Sequence, residues 1–416
     1  MHKFALVNGT IMNIKIKQQL QDREFQALKG KKHVILKWAT GCGKSKMTID
    51  LMNHVADHRI NVLLVVAEKA HIDNWKEEFS KWKLNKRNIS VKIICYASLK
   101  KLPDTSWDII VFDEAHHLFT EKRMEVVSTM NAESVYILSA TLSSSKIQMA
   151  EELFKKRFIT SAVTLKEAIK KEVLPDPKVY VIGMDLDTES NTEEIVIGSI
   201  SNPPIVRWED RGKYIYKSRP CIIRCTERQK YIFYTDSMEY WKRRYQASHN
   251  EYQHNIWKNL GSKRKRYLGE LKTNKVKELI SLLPKRRRFV CFCTSIAQAE
   301  LLKASNTISS KKPDKLNQKI IKAFNDGLIR QIFAVGMITE GMNLTDIQAG
   351  IIVQLDGKER LFIQKAGRVM RADSPAIYIF YYKDTQDEVY LKQALENIDH
   401  KFVQHVDINH LKTIKL

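Results

Sequence analysis

Two short segments carry side chains that could handle a chain of phosphates. The first, Thr40-Gly41-Cys42-Gly43-Lys44-Ser45, follows an apolar run at 34–38 and opens into an amphipathic stretch. The second, Asp113-Glu114-Ala115-His116, ends another apolar run at 109–112. Strand, glycine turn and helix, then a strand ending in carboxylates, are the two halves of a nucleoside-triphosphate site. Glycines at 41 and 43 let the backbone N–H groups of 40–45 close on phosphate oxygens, and the positive end of the following helix adds to the field. Lys44 is then placed to reach the β and γ phosphates and Ser45 to ligate Mg²⁺. Asp113 would hold the metal through water, and Glu114 would orient or deprotonate the attacking water. Phosphoryl transfer is catalysed mainly by positioning and electrostatics, so these groups must be in place beforehand. One residue departs from the usual G-x-x-x-x-G-K-S/T spacing: Trp38 stands where the first glycine belongs.

The elements needed to hold these groups are legible around them. Strands are predicted at 33–38, 62–67, 91–96, 108–112 and 135–139, alternating with helical patterns, as in a parallel sheet covered by helices. Between the second and third, Trp75, Phe79 and Trp82 fall at i, i+4 and i+7, a helix face packed on the sheet with Asp73 as its cap. Pro175 and Pro177 mark an extended linker leaving this first unit. Residues 181 to about 220 are polar and then extended, without an interpretable motif. From 226 to 283 the pattern turns helical and basic, with Lys242-Arg243-Arg244 and Lys263-Arg264-Lys265-Arg266, and Lys285-Arg286-Arg287-Arg288 just beyond. Tyr231, Phe233, Tyr234, Tyr240, Trp241 and Tyr245 are interleaved. Such runs can be mere solvated helix faces; three together favour a phosphate-contacting surface. A second α/β pattern follows, with strands at 289–294, 332–335 and 350–355 and helices at 296–304 and 315–325. No second glycine loop with a lysine recurs, so one nucleotide per chain is expected. Arg368 and Arg371, three apart on a helix, share a face and can reach a phosphate held by another domain.

With 416 residues the chain is long enough for two or three domains with real cores. Seventy Lys and Arg against 47 Asp and Glu leave a charge of +23, which points to a polyanionic partner. Neither a basic amphipathic helix nor a lipidation signal favours membrane phospholipid, and no apolar run has membrane-spanning length. The N-terminus lacks a signal-peptide pattern, so a cytoplasmic location is expected. The six cysteines (42, 95, 221, 225, 291, 293) sit mostly in apolar strands. Their C-x-C and C-x₃-C spacings match common zinc sites poorly, and buried reduced thiols are the better reading.

The ordered set of segments resembles a superfamily 2 helicase or translocase core of the D-E-A-H type, over most of the chain. Arg23-Glu24-Phe25-Gln26 is similar to the upstream element whose glutamine reads adenine; 39–45 is similar to motif I and 66–69 to motif Ia. Asp113 to His116 is similar to motif II and Ser139-Ala140-Thr141 to motif III. In the second half, 292–295 resembles motif IV, Thr339-Glu340-Gly341-Met342-Asn343 motif V, and 364–371 motif VI. The resemblance implies two RecA-like parallel-sheet domains in tandem with a helical basic insertion between them: 1–180, 181–270 and 271–416. ATP with Mg²⁺ would lie in the cleft, with Arg23, Gln26 and Gly341 among the nucleotide contacts. His116 and Gln364 would touch across the cleft, and Arg368 and Arg371 would complete the site as arginine fingers. Lys69, Thr294 and Thr339 would contact one nucleic-acid strand. Lys365 stands where relatives often carry arginine. The segments at 167–175 and 225–231 look like those of Snf2-type and phage recombination-type translocases, and no accessory module is visible.

The function expected on these grounds is an ATP-dependent DNA helicase or translocase acting on duplex or branched DNA, beside replication or recombination proteins. Two alternatives stand beside it: an RNA helicase with the same chemistry, and a nucleic-acid-binding protein whose affinity ATP switches without movement.

Overall fold

The computed structural model describes residues 2–102, 106–197, 205–208, 213–216, 221–336, 344–357 and 362–411, apart from 363, 364, 368, 371, 373 and 397. The first lobe opens with a long helix, α1 (His2–Leu28). Six parallel strands follow: β1 (His33–Trp38), β2 (Ile60–Val66), β3 (Ile89–Cys95), β4 (Ser106–Phe112), β5 (Asn131–Ser139) and β6 (Ile159–Val163). They are ordered β3-β2-β4-β5-β1-β6. Runs such as Ile-Asn-Val-Leu-Leu-Val-Val in β2 are apolar almost throughout because helices cover both faces of a parallel sheet. Those helices are α2 (Lys44–Val55), α3 (Lys69–Lys81), α4 (Glu121–Ser128), α5 (Ser144–Phe154) and α6 (Leu165–Lys170). Trp75 and Phe79 of α3 are buried against the sheet, as their spacing predicts. β6 had no signal in the sequence: only Ser161 and Val163 of its five residues are buried, the pattern of an edge strand.

The prolines at 175 and 177 carry the chain from one sheet to the other. The next strand, β7 (Lys178–Met184), lies in the second sheet, between β16 (Ala376–Tyr382) and β17 (Val403–Val406). Residues 181–184 are therefore part of the second lobe, not of the intervening segment. The register Val181↔Ile379 fixes this, because β7 is apolar on both faces and needs a two-sided burial that only a sheet interior supplies. The intervening segment holds two antiparallel pairs, β8 (Glu193–Ile197) with β11 (Cys221–Cys225), and β9 (Ile205–Trp208) with β10 (Lys213–Tyr216). Two long helices follow, α7 (Glu227–Ser248) and α8 (Glu251–Leu271), packed as a hairpin. Thr226 and Gln229 form a capping box at the start of α7.

The second lobe continues with α9 (Thr273–Leu282), β12 (Phe289–Phe292), α10 (Ile296–Lys303), β13 (Thr307–Ser309), α11 (Asp314–Asn325), β14 (Gln331–Val335) and β15 (Ala349–Ile352). After β16 come α12 (Gln386–Leu395) and, past β17, the short α13 (Ile408–Leu411). Its seven strands are parallel, in the order β13-β14-β12-β15-β16-β7-β17. Two tandem parallel-sheet α/β domains are thus present, as the sequence predicts. The hairpin is tied to the second lobe by a fully buried lysine. Lys272 Nζ, just after α8, donates to Asp387 Oδ2 (2.6 Å), Gln354 Oε1 (2.7 Å) and Phe380 O (3.2 Å). Burial pulls the ammonium's pKa down while Asp387 pulls it back up.

All six cysteines are free, with Cys291 and Cys293 Sγ atoms 3.8 Å apart in β12 and its extension. Among the described residues no cluster of His, Cys, Asp or Glu could hold a metal ion. None of the described helices is long and apolar enough to cross a membrane.

Candidate nucleotide site

The glycine loop leaves the carboxyl end of β1. Trp38, the residue standing in the place of a glycine, ends that strand with its side chain fully buried. Its indole Nε1 donates to Ser161 Oγ at 2.7 Å, and that hydroxyl donates to Glu24 Oε2 at 2.8 Å. The chain turns only afterwards, at Gly41 (φ 95°) and Gly43 (φ 98°). A bulky residue is compatible with the loop because the left-handed positions lie further on, where both residues are glycine.

Two side chains of α1 hold the outside of the loop. Lys17 Nζ donates to Gly41 O (2.6 Å) and Gln21 Nε2 to Cys42 O (2.9 Å). A trans peptide keeps each C=O antiparallel to the next N–H, so fixing the Cys42 carbonyl on Gln21 turns the Gly43 N–H to the opposite side of the loop. Gln21 crosses Gly43 so closely that a Cβ there would stand 2.1 Å from its amide nitrogen. α2 begins at Lys44 with Gly43 as N-cap and no side chain capping it, which leaves its first amides to an anion. Lys44 Nζ donates to Trp38 O at 2.8 Å, curling back over the loop. Burial pushes the Cys42 thiol up to about 11, so it is a neutral packing group.

β4 lies two strands from β1 and parallel to it, so Asp113 emerges on the same edge as the loop. Its carboxylate accepts from Trp75 Nε1 (2.8 Å) and from the Glu114 amide (2.9 Å). Burial and the neighbouring Glu114 raise the Asp113 pKa, while His71, Trp75 and Lys44 pull it down. A desolvated carboxylate repelled by a second one fits a hard divalent cation, and Asp113 with Ser45 supplies the oxygen donors that Mg²⁺ prefers. Glu114 adopts the left-handed conformation (φ 46°), a strained choice for glutamate of the kind concentrated at functional sites. His116 is buried, its Nδ1 3.4 Å from Glu114 Oε2, and its ring lies 4.2 Å from that of His117, tilted by 39°. After β5, Ser139 Oγ donates to Thr141 O (3.0 Å) and accepts from the Thr141 amide (3.2 Å), closing a local turn.

The second lobe reaches this loop. Residues 365–367 are helical, and Gly367 lies against Thr40: a Cβ at Gly367 would stand 2.6 Å from Thr40 Cβ and 3.3 Å from Thr40 O. Ala366, Val369 and Met370 around it belong to a buried cluster that also takes in Leu36, Trp38 and Cys42 of the first lobe. Gln364, Arg368 and Arg371 lie outside the described residues, as do Thr339 and Gly341.

Arg23 and Gln26, expected on the adenine side of the site, lie on α1 away from the phosphate loop. Both are exposed, and Arg23 pairs with Glu24 at 2.6 Å. Gln26 is five residues from Gln21, about 140° round the helix, so the two cannot face the same loop. Lys17 and Gln21, unremarked in the sequence, hold the loop; their i, i+4 spacing on one helix was the available signal. Trp75 was legible as core, but nothing in its spacing showed that its N–H would meet Asp113. Lys69, the first residue of α3, is exposed at the carboxyl edge of the sheet. Thr294 sits at the corresponding edge of the second sheet, pressed on Gly269 of α8, whose Cβ would fall 2.0 Å from its hydroxyl.

Comparison with known proteins places these features. A family model described as the type III restriction enzyme res subunit matches residues 8–144, and one for the helicase conserved C-terminal domain matches 272–373. No curated protein matches the chain by sequence. Among solved structures, S. cerevisiae Dbp5 bound to RNA and ADP–beryllium fluoride is similar with a TM-score of 0.59 at 12% identity, covering 95% of this chain and 93% of that one. A Dbp5 leucine-to-valine variant with the same ligands gives 0.60, at 12% identity with 95% and 91% covered. The variant bound to Gle1 and IP6 gives 0.54, at 11% identity with 95% and 90% covered.

Proposed function

We propose that this chain, whose two halves match helicase-type family models, is a superfamily 2 helicase core that hydrolyses ATP with Mg²⁺ to move along nucleic acid, DNA in the first place. The carrying observation is the seating of Gly367 on Thr40, which puts a helix of one lobe on the phosphate loop of the other. ATP bound with Mg²⁺ supplies the transferable phosphoryl group and its counter-charge. Lys44 and the first amides of α2 hold its phosphates, Ser45 and Asp113 hold the metal, and Glu114 takes the proton of the attacking water. Arg368 and Arg371 would serve as arginine fingers; such arginines are worth about 10³–10⁵ in rate, so hydrolysis would answer to closure. Alternate closing and opening moves Lys69 and Thr294, one on each lobe, relative to each other along a bound strand.

A charge of +23 supports a nucleic-acid track, and the family match of the first lobe to a restriction-enzyme subunit favours DNA. The RNA in the Dbp5 complexes favours the second reading, an RNA helicase. ATPase rates measured beside single-stranded, duplex and forked DNA and RNA separate them. Greater stimulation by DNA supports the first reading, and clear preference for RNA overturns it. Stimulation by none of them, or turnover unchanged in both Lys44→Ala and Glu114→Gln, overturns the motor itself.

A further inference from the structure

The α7–α8 hairpin has no part in the nucleotide site, yet it concentrates charge. Between Tyr240 and Arg266 stand eight Lys and Arg and one acidic residue, Glu251. Its base is buried through Tyr231, Ile232 and Leu268, while residues 246–252 at its turn are all exposed. At that end Tyr245 stacks on His254 (4.5 Å, 15°), and Trp257 lies 6.1 Å from Tyr245. Below the stack, α8 and the second lobe enclose a cavity of about 550 Å³, lined by Trp257, Lys258, Lys265, Gln354 and Asp356 among others. A second cavity of about 230 Å³ shares Lys265, Gln354 and Asp356 with it and ends at Thr294. The two cavities adjoin at these residues, one on the hairpin side and one at the carboxyl edge of the second sheet, and together outline a groove.

Its chemistry suits a phosphodiester strand. Two carboxylates line it and both are paired with lysines: Asp356 with Lys265 and Lys365, and Asp387 with the buried Lys272. Lys258 is exposed on the wall. Trp257 offers a flat apolar face beside these cations, the combination of aromatic platform and basic channel that tracks single strands. At the inner end the buried Thr294 hydroxyl has no hydrogen-bond partner among the described residues.

Resting on the nucleic-acid reading above, we propose that the groove between α8 and the second lobe carries a single strand onward from Thr294, with a phosphate on Lys258 and a base against Trp257. The hairpin is then a strand-guiding arm.

The test is anisotropy of labelled strands of about 16 nucleotides, DNA and RNA, from about 50 to 200 mM salt. Lys258→Ala should reduce the slope of log affinity against log salt by about 0.7, one phosphate contact on a single strand. Trp257→Ala should weaken binding about 5- to 150-fold, as loss of one stacked base does, whereas Trp257→Phe retains most of the affinity. ATPase without nucleic acid, measured on the same samples, reports that each variant is folded. Wild-type affinity and slope in both Lys258→Ala and Trp257→Ala, with wild-type binding intact, overturn the groove and leave the motor standing. Absence of binding by the wild-type protein overturns both.

Discussion

Asp113 illustrates how one side chain can hold a site together by being uncomfortable. In the folded chain without a cation, burial and Glu114 raise its pKa, so the native state binds more protons than the unfolded one just above the ordinary aspartate value. Stability therefore falls as pH rises through that window, because the ionised carboxylate is costly there. A bound cation removes the cost. The rise in Tm on adding Mg²⁺ and ADP should be smallest at acid pH and grow as pH rises through the window. Asp113→Asn should flatten that dependence, as differential scanning across pH would record. Trp75 shares the task, since its N–H neutralises one lone pair of the carboxylate at 2.8 Å. Trp75→Phe keeps the packing and loses a hydrogen bond to a charged group, about 1.5–3 kcal/mol. The expected outcome is a several-fold higher Mg²⁺ requirement in the ATPase assay.

At the scale of elements, α1 and the hairpin show how helices fix loops they do not belong to. Gln21→Ala would leave the Cys42 carbonyl without its donor, a cost of about 1–3 kcal/mol, and would free the Gly43 peptide to rotate. The KM for ATP should rise in Gln21→Ala by more than in Gln26→Ala; the reverse order would show that Gln26 matters more to nucleotide binding than the support of the loop. The hairpin depends on Lys272 in the same way. Asp387→Ala strips a fully buried ammonium of its counter-ion, which costs about 3–5 kcal/mol. Urea unfolding should show that loss, while a Lys272→Met and Asp387→Leu double variant should recover much of it, because a buried pair replaced by apolar residues no longer needs charge compensation.

At the scale of the whole molecule, the question is how far two lobes can approach. Gly367 permits contact with Thr40 only because it has no Cβ. Gly367→Val would press on Thr40 and hold the lobes apart by the width of a side chain while leaving the side chains of Lys44 and Asp113 in place. ATP should still bind with near-normal affinity, and nucleic-acid-stimulated kcat should fall by about 10²–10³, part of the rate that an arginine finger supplies. Loss of affinity with kcat retained would show instead that Gly367 serves the binding of nucleotide alone.

Local chemistry was legible in the residues themselves. Gly41, Gly43, Lys44, Ser45, Asp113 and Glu114 read as candidates for a phosphate loop and a metal carboxylate because such work demands those side chains at the ends of strands, and the fold brings both segments to one edge of the first sheet. Five of the six strands of the first sheet were likewise readable from apolar runs. β6, an edge strand with two buried residues, was not, since half-exposed strands carry little periodic signal. Nor could spacing reveal that β7 crosses to the second sheet, that Gln21 faces the loop while Gln26 faces away, or that Trp75 donates to Asp113. Sequence determines what each segment is able to do; which segments meet depends on strand order and on the direction each helix face takes after packing. Those are long-range choices, set by burial across the entire chain, and they exist only once it has folded.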